Sequence, residues 1–495
     1  MALTRRAALL GAGAVLGGYA GRVVLPQNPS LTGAGVIVPG TGNTVLNDAS
    51  LLSETPVFRH TVIKEIPGET MPGDTMIAAL RAELAAAGSD NRAVNIGAAR
   101  HSMGGHAIPR EGHAITFASP FTSVETGADT YRVQAGTRWS HVISALDPLG
   151  LAPKVMQSNN DFGVGSTFSV NAHGWATALG PMGTTVRSIQ MMLADGSLVT
   201  ASRDENEALF AAAMGGYGLI GLITELQVEH APNQLLEPRF QTMPAADFAT
   251  VFEAAVKAVP MAYGRLNVDR DGFFQDAMMV TYTAIDGDIP PASGSGMLSK
   301  FSRHIFRAQL GSDWIKRRRW GVETGIGAKM TGAASRNTLF NEPVITLDDR
   351  DPNRTDILHE YFVAPNRFTD FITACRAIIP ASYQDLLNIT LRWVEQDMES
   401  MLSYAPQGPR IASVLLFSQE MTARAEADMA RMTQTMIEAV LAIGGSYYLP
   451  YRPHATTAQF QRCYPNAAAF AALKRQIDPD LRFRNAFWDR YLATL

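Results

Sequence analysis

Cysteine is nearly absent: the 495-residue chain holds two, Cys375 and Cys463. Two thiols so far apart in sequence build no disulfide framework and no metal-ligand spacing. They leave room for a single disulfide and read better as two unrelated buried thiols; no metal site is expected. Positive charge is not in excess either. Lys and Arg number 42 against 46 Asp and Glu, a formal net charge of −4, which excludes the basic footprint of a nucleic-acid-binding protein. Apolar residues at 46% and charged residues at 18% exclude a mainly disordered chain. The length exceeds what one core serves, so two adjacent or intertwined domains are expected.

The N-terminus begins Met-Ala-Leu-Thr-Arg5-Arg6 and continues as a short Gly/Ala-rich run to Ala20. That run is too short and too weakly apolar for a transmembrane helix. With the paired arginine it resembles a twin-arginine export signal, placed at residues 1–30. The expectation is a periplasmic or exported protein that meets the twin-arginine machinery, membrane-associated if the signal stays uncleaved. That route carries folded proteins, which suits an enzyme that takes up its cofactor in the cytoplasm. Residues 27–50 are rich in Pro, Gly, Asn and Ser and read as linker, bounded at 31–54.

The stretch that organises the rest is 95–108, Asn-Ile-Gly-Ala-Ala-Arg-His-Ser-Met-Gly-Gly-His-Ala-Ile. Small residues let a backbone approach a ligand, and successive free N–H groups in such a turn cradle an anion. His101 is placed to face that ligand; alone, the stretch reads more readily as a surface loop that holds two histidines. A second run, Gly163-Val-Gly-Ser-Thr-Phe-Ser-Val-Asn-Ala-His-Gly174, brings hydroxyls at Ser166, Thr167 and Ser169 and the Asn171 amide. These donate to phosphate or ring-carbonyl oxygens. Two such runs point to a phosphate-bearing cofactor.

Around them the pattern is α+β. An entry strand is expected at 57–66, a helix at 75–87 stopped by Gly88 and Ser89, a strand at 130–135, a helix from Trp139 to Leu149, and a hairpin at 186–201 turning at Asp195-Gly196. Gly216-Tyr-Gly218-Leu-Ile-Gly221 fits the G-x-G-x-x-G dinucleotide pattern, but a helical stretch precedes it and an alternating strand follows. The pattern requires the reverse order, so no Rossmann site is expected. A helix is expected over 244–259. Residues 288–345 read as an irregular insertion whose Lys316-Arg317-Arg318-Arg319 cluster forms a solvated face. From Leu358 strands and helices alternate, which fits an antiparallel sheet with helices on one face.

Residues 55–235 resemble the FAD-binding domain shared by the vanillyl-alcohol oxidase and p-cresol methylhydroxylase flavoproteins. Ala99-Arg100-His101-Ser102 with Gly105 resembles the Gly-His-Ser-x-x-Gly loop, and Val133-Gln-Ala-Gly136 with Trp139 the Val-x-Pro-Gly-x-x-Trp step. Gly163 to Ser169 resembles the second flavin loop, and Asn171-Ala-His173-Gly174 the Thr-His-Gly of sugar-oxidising members. Leu193-Ala-Asp195-Gly196 and Gly215 to Thr224 complete the set in the family's order. Residues 236–470 resemble the cap, or substrate, domain of the alditol oxidase and aldonolactone oxidoreductase branch, and 471–495 its closing segment, which returns to the FAD domain.

The resemblance implies an α+β fold: a two-subdomain FAD-binding domain, and a cap with an antiparallel sheet covered by helices. It implies FAD, bound through Ala99, Arg100, His101, Ser102, Gly105, His106, Gly163, Gly165, Ser166, Thr167, Ser169, Asn171, His173, Gly174, Ile223 and Asn485, with His101 the covalent attachment point. The activity implied is oxidation of a hydroxyl-bearing carbon, as in a sugar alcohol or aldonolactone, by hydride transfer to flavin N5. The branch's Glu-x-Arg strand appears as Thr390-Leu-Arg392, which makes Arg392 the candidate catalytic anchor, with Glu395 and Glu360 as weaker candidate bases; Glu395, three residues beyond Arg392, faces the opposite side of an ideal strand. Tyr447, Tyr448 and Lys474 are candidate pocket residues. The cytokinin dehydrogenases share Tyr448-Leu449-Pro450 but carry an aspartate at the position of Ser158. An amine or phenolic substrate, and flavin binding without turnover, are the alternatives. The partners expected are a small-molecule substrate and an electron acceptor, whether oxygen, quinone or cytochrome.

Overall fold

Alternation of buried and half-exposed residues marks the strands, and it separates two bodies of sheet. The computed structural model describes residues 44–495 apart from 67, 70, 72, 119–120, 295–305, 328–330 and 344–350. The stretch 1–30, read as an export signal, lies outside the described residues. Among them no helix is long and apolar enough to cross a membrane.

The first half builds three sheets. Thr44–Leu46 (β1) pairs antiparallel with Thr55–Val57 (β2). Arg59–Ile63 (β3) leads through helix Asp74–Ser89 (α1) to Val94–Gly97 (β4), and His113–Phe117 (β5) inserts between β3 and β4, parallel to both. The Ala- and Leu-rich sequence of α1 favours a helix, and it buries Met76, Ile77, Leu80 and Leu84. The helix runs through Gly88 and Ser89, the expected stop; the left-handed turn falls instead on Asn91, at φ 49°, a residue type that tolerates it. Val124–Thr126 (β6), Thr130–Gln134 (β7), Trp139–Leu146 (α2), Leu151–Pro153 (β8), Val164–Ser169 (α3), Val186–Met192 (β9), Leu198–Ser202 (β10), Glu207–Ala213 (α4) and Leu222–Pro232 (β11) follow. Their sheet has the order β10-β9-β11-β7-β6, with β8 also on β11. The 216–221 glycines lie between α4 and β11, the helix-to-strand order that excludes a dinucleotide turn.

The second half is one eight-stranded antiparallel sheet. Its elements are Leu235–Pro244 (β12), Phe248–Val256 (α5), Met261–Leu266 (β13), Asp276–Ala284 (β14), Asp313–Val322 (α6), Ala334–Ser335 (β15), Arg336–Phe340 (α7), Arg354–Val363 (β16), Phe368–Ile378 (α8), Asp385–Val394 (β17), Arg410–Glu420 (β18), Ala423–Ala442 (α9) and Ser446–Tyr447 (β19). The order is β15-β12-β14-β13-β17-β18-β16-β19. Helices cover one face: Phe252 of α5 meets Trp393 of β17 edge-on, and Phe371 of α8 meets Tyr361 of β16. Residues Glu360 and Arg392, one position away on the same strands, therefore belong to the opposite face.

Three stretches differ from their expected character. Residues 44–54, placed in a linker, pack against the first half: Asp48 accepts the Gly105 N–H at 2.8 Å, and Ala49 N–H donates to Arg100 O at 3.0 Å. The described part of the 288–345 insertion carries α6, β15 and α7 rather than irregular chain. Its basic cluster is half docked, with Lys316 Nζ at 2.5 Å from Asp385 and Arg319 donating to Leu387 O at 3.0 Å. The i, i+3 spacing of Lys316 and Arg319 puts both on the docked side of α6 and leaves Arg317 and Arg318 exposed. Cys375 and Cys463 are both free thiols.

After Thr457–Cys463 (α10) and Ala467–Ile477 (α11), the chain crosses back. Arg482 O accepts the Val94 N–H at 2.6 Å, and Phe483 bridges Val94 in parallel, so this segment extends the β3-β5-β4 sheet. Lys474, expected near a pocket, is fully buried in a salt bridge to Asp478 instead.

A second seam joins the halves. Glu426 on α9 accepts from Arg452 Nη2 at 2.5 Å and meets His454 Nε2 at 2.9 Å. Arg452 Nη1 donates to Ser53 Oγ at 3.1 Å and to Met103 O at 3.3 Å. Burial works to raise the Glu426 pKa, but His454 and Arg452 outweigh it and hold the carboxyl below its usual range. Glu426→Gln leaves Arg452 buried without its counter-charge, so unfolding by urea is expected to show a loss of about 3–5 kcal/mol. Glu438→Gln, which breaks the exposed pair with Arg462, is the control and should cost less than about 1 kcal/mol.

Candidate functional site

The first glycine loop is built from its backbone outward. Arg100 takes φ 52° and folds its guanidinium back, Nε to Ala107 O and Nη2 to Ile115 O, each at 3.2 Å. A Cβ at Gly97 would stand 3.0 Å from it. Arg100 therefore shapes the loop through its Nε and Nη2; burial brings its pKa down to about 10. Gly105 needs its left-handed φ of 68°, and its N–H is held by Asp48. Ala99, His101 and Ser102 remain half-exposed on the rim. The His101 ring packs against Phe162 at 4.2 Å in a tilted arrangement, with Nε2 at 3.5 Å from Asp161 Oδ2.

His106 and Asn485 stand behind that rim. His106 is buried against Tyr217 and Phe487, and burial pushes its pKa down to about 4. Asn485 Nδ2 donates to His106 O at 2.7 Å and to Tyr217 O at 2.9 Å, so it staples the first loop to the 215–218 turn. The sequence points to both as cofactor contacts; in the structure His106 packs against Tyr217 and Phe487, and the Asn485 amide bonds to backbone carbonyls of the scaffold. Ile223 is buried in β11 opposite Met191.

The second run folds as the short helix α3 rather than as a loop. Gly163 faces Ala98, where a Cβ would lie 3.0 Å away, and this brings the two runs together. Gly165 N–H donates to Ala135 O, and a Cβ there would meet Ala135 at 2.7 Å. The Thr167 hydroxyl accepts the Trp139 indole N–H at 2.8 Å, and Ser169 Oγ donates to Gly165 O at 2.8 Å. Those two hydroxyls are used within the fold; Ser166, half-exposed, is the one of the three nearest the junction, 3.4 Å from a Gly163 Cβ. Asn171 is also spent: its Nδ2 donates to Asp397 at 3.0 Å and its Oδ1 accepts the Gly183 N–H at 3.0 Å.

Around the same junction, polar atoms are left over. Asn95 Nδ2, Thr137 Oγ1 and Arg138 Nη1 are buried without a hydrogen-bond partner among the described residues. Asn95 faces Gly218, and Arg138 Nη1 lies 3.4 Å from where a Gly163 Cβ would be. Burial lowers the Arg138 pKa, and Asp161 opposes that shift. A fold that leaves the Arg138 Nη1 donor buried without a hydrogen-bond partner among the described residues fits an anionic ligand between these loops. The sequence reading passed over Arg138 although it adjoins Trp139, inside the same motif.

The cap contributes a second cluster. Gly174 lets the 171–174 backbone cross Met156, whose carbonyl would stand 1.9 Å from a Cβ there. This crossing sets His173 and Ser158 side by side with the cap. His173 Nε2 meets Glu360 Oε1 at 2.5 Å, both nearly fully buried, and Tyr451 donates to Glu360 Oε2 at 3.3 Å. Arg392 Nη2 donates to Ser158 Oγ at 2.6 Å, while its Nε is buried without a partner. Burial and the Glu360 charge push the Tyr451 hydroxyl well above the usual tyrosine range, and Arg392 works against them. Tyr448 donates to Val170 O at 2.8 Å and packs beside His173. Tyr447 is buried against Tyr464. Glu395, the first candidate base, accepts the Trp393 indole N–H at 2.7 Å; Trp393 faces the helices, so Glu395 is drawn away from Arg392. Glu360 is the carboxylate that the fold delivers.

Two outcomes follow. His106 has a folded pKa below its unfolded value, so the unfolded chain binds more protons below pH 6.5 and stability falls as pH drops toward 4. Melting temperatures across that window should fall less steeply for His106→Gln than for the parent. Gly174→Ala forces the crossing apart, and the soluble yield and cofactor content should both drop sharply.

Residues 75–202 match a family model described as an FAD binding domain. The chain is 31% identical to an alditol oxidase of a Streptomyces species over 120 residues, 24% of this chain and 27% of that protein. It is 24% identical to cytokinin dehydrogenase 2 of Arabidopsis thaliana over 288 residues, 57% and 56% of the two chains. It is 33% identical to D-arabinono-1,4-lactone oxidase of Yarrowia lipolytica over 100 residues, 20% and 19%. The matches thus span between 19% and 56% of these relatives' own lengths.

Proposed function

The chain belongs with the FAD-binding flavoproteins of the vanillyl-alcohol oxidase and p-cresol methylhydroxylase family, and on that premise we propose that it oxidises a hydroxyl-bearing carbon of a small molecule. The observation that carries this reading is the cap face: Arg392 reaches Ser158, just ahead of the second glycine run, while Glu360 pairs with His173 behind it.

FAD, when bound, supplies a two-electron acceptor. Asn95, Thr137 and Arg138 are the residues that would hold its polar part, and His101 on the rim is the attachment point for a covalent bond. Arg392, beside Ser158, would anchor the substrate through one of its oxygens. The two electrons of the substrate C–H would be taken up by the bound FAD as hydride, while Tyr451 would pass the hydroxyl proton toward Glu360 as the C–O bond becomes a carbonyl. His173 keeps Glu360 oriented. Oxygen, a quinone or a cytochrome takes the electrons onward. The Arg5-Arg6 signal supports loading of FAD before export to the periplasm through the twin-arginine route.

The second reading, an amine or phenolic donor, draws support from the match to cytokinin dehydrogenase 2. Ser158 in place of an aspartate argues against it. Anaerobic addition of polyols, lactones, amines and phenols separates the readings by which donor bleaches the flavin. Bleaching by amines alone overturns the hydroxyl reading, and bleaching by none leaves flavin binding without turnover. Arg392→Leu should slow bleaching by about 100-fold with flavin content unchanged. After acid precipitation, flavin absorbance is expected in the pellet of the parent and not of His101→Ala; flavin in the parent's supernatant overturns covalency.

A further inference from the structure

The cap face that meets the flavin domain has a consistent chemical bias. Pairing in the sheet sets Thr390 beside Arg265 on one side and Val414 on the other, and Val414 beside Glu360. The pairing of Gly264 with Leu391 places Tyr263 next to Arg392 one step along. Directly paired residues of an antiparallel sheet share a face, so Glu360, Thr390, Arg265, Arg392 and Tyr263 form one surface.

Trp175 closes its end. Its carbonyl accepts the Ala262 N–H at 3.0 Å, and its ring lies 5.0 Å from that of Tyr263. Arg392 Nε and Trp175 Nε1 are buried here without a hydrogen-bond partner among the described residues. Both are obligate donors. The carboxylates of the surrounding elements are already engaged. Glu360 faces His173 and Tyr451, Glu395 the Trp393 indole, Asp397 Asn171, and Glu323 the guanidiniums of Arg319 and Arg265. Thr390, about 6.8 Å along the strand from Arg392 on the same face, offers only a hydroxyl, which accepts from Asn388 at 3.2 Å. Arg392 therefore has a serine for its charged group and no counter-ion among the described residues.

Buried donors without acceptors, one of them charged, define the ligand by what they lack. We propose that Arg392 and Trp175 receive a carboxylate of the substrate, so that the compound oxidised is a hydroxy carboxylic acid, such as an aldonic acid, rather than a neutral polyol. The proposal rests on the oxidoreductase reading above and narrows its substrate class. A carboxylate on Arg392 and Trp175 leaves a neighbouring hydroxyl-bearing carbon toward Tyr451 and Glu360, the proton-accepting side of the same face.

The test uses matched pairs that differ by one carboxylate: gluconate with sorbitol, and glycerate with glycerol. Binding is measured by calorimetry on dithionite-reduced holoenzyme, where turnover does not interfere, and flavin bleaching is followed separately on the oxidised enzyme. At least one acid should bind about tenfold or more tightly than its alcohol. Trp175→Phe, which keeps the ring and removes the donor, should erase that preference. Thr390→Glu, which places a carboxylate beside Arg392, should reverse it, and this variant serves if Trp175→Phe does not fold. Acids that bind no tighter than their alcohols, or variants that weaken both members of a pair equally, overturn the proposal. In that case bleaching by an alcohol leaves the hydroxyl-oxidising reading standing. If no hydroxyl donor of either kind bleaches the flavin, that reading falls, and the substrate class falls with it.

Discussion

An imidazole and a carboxylate removed from water, His173 and Glu360, hold the two halves of this protein at one distance from each other. Neither side chain is tolerated alone in such a place, because a buried ionisable group without its partner forfeits several kcal/mol of hydration. His173 arrives only because Gly174 admits the Met156 carbonyl, and Glu360 arrives only because the β16–β18 register turns it away from the helices. The ring of aromatic groups around the pair, Phe362, Tyr404 and Tyr448, keeps solvent out. Further interdomain contacts, among them Asn171 with Asp397 and Arg452 with Met103, brace the same approach.

What the sequence made legible was backbone-dictated. Gly105 requires a left-handed turn, Gly163 and Gly165 require close approach, and such demands leave few residue types to choose from. The helix-before-strand order around 216–221 was enough to exclude a dinucleotide turn. Side-chain roles were harder, because the same residue serves a ligand or the scaffold depending on partners far away in the chain. Asn171 read as a cofactor donor until Asp397, 226 residues on, took its amide. Glu395 and Glu360 looked comparable as carboxylates; cross-strand register and one indole N–H separated them. Arg138 was hidden for the opposite reason, since what marks it is a buried Nη1 that no described residue satisfies.

The same reasoning orders the hydroxyls of the second run. Thr167 and Ser169 close hydrogen bonds that stiffen α3, and Ser166 is left facing the junction. A run that reads as a uniform cradle in sequence is thus divided between support and contact. The division follows from helical geometry, which turns successive residues about 100° apart.

The return of the chain to Val94 has a consequence for how the protein is made. Arg482, Phe483 and Asn485 complete the edge and the back of the first glycine loop, and the hydrogen bond from Asn485 to His106 spans 379 residues. A ribosome at work therefore presents that loop long before its last supports exist, and contacts so distant in sequence form late. Cofactor capture becomes a marker of completed synthesis: a chain cut short before residue 482 would carry the glycine motif in full and still lack the wall that holds it in shape.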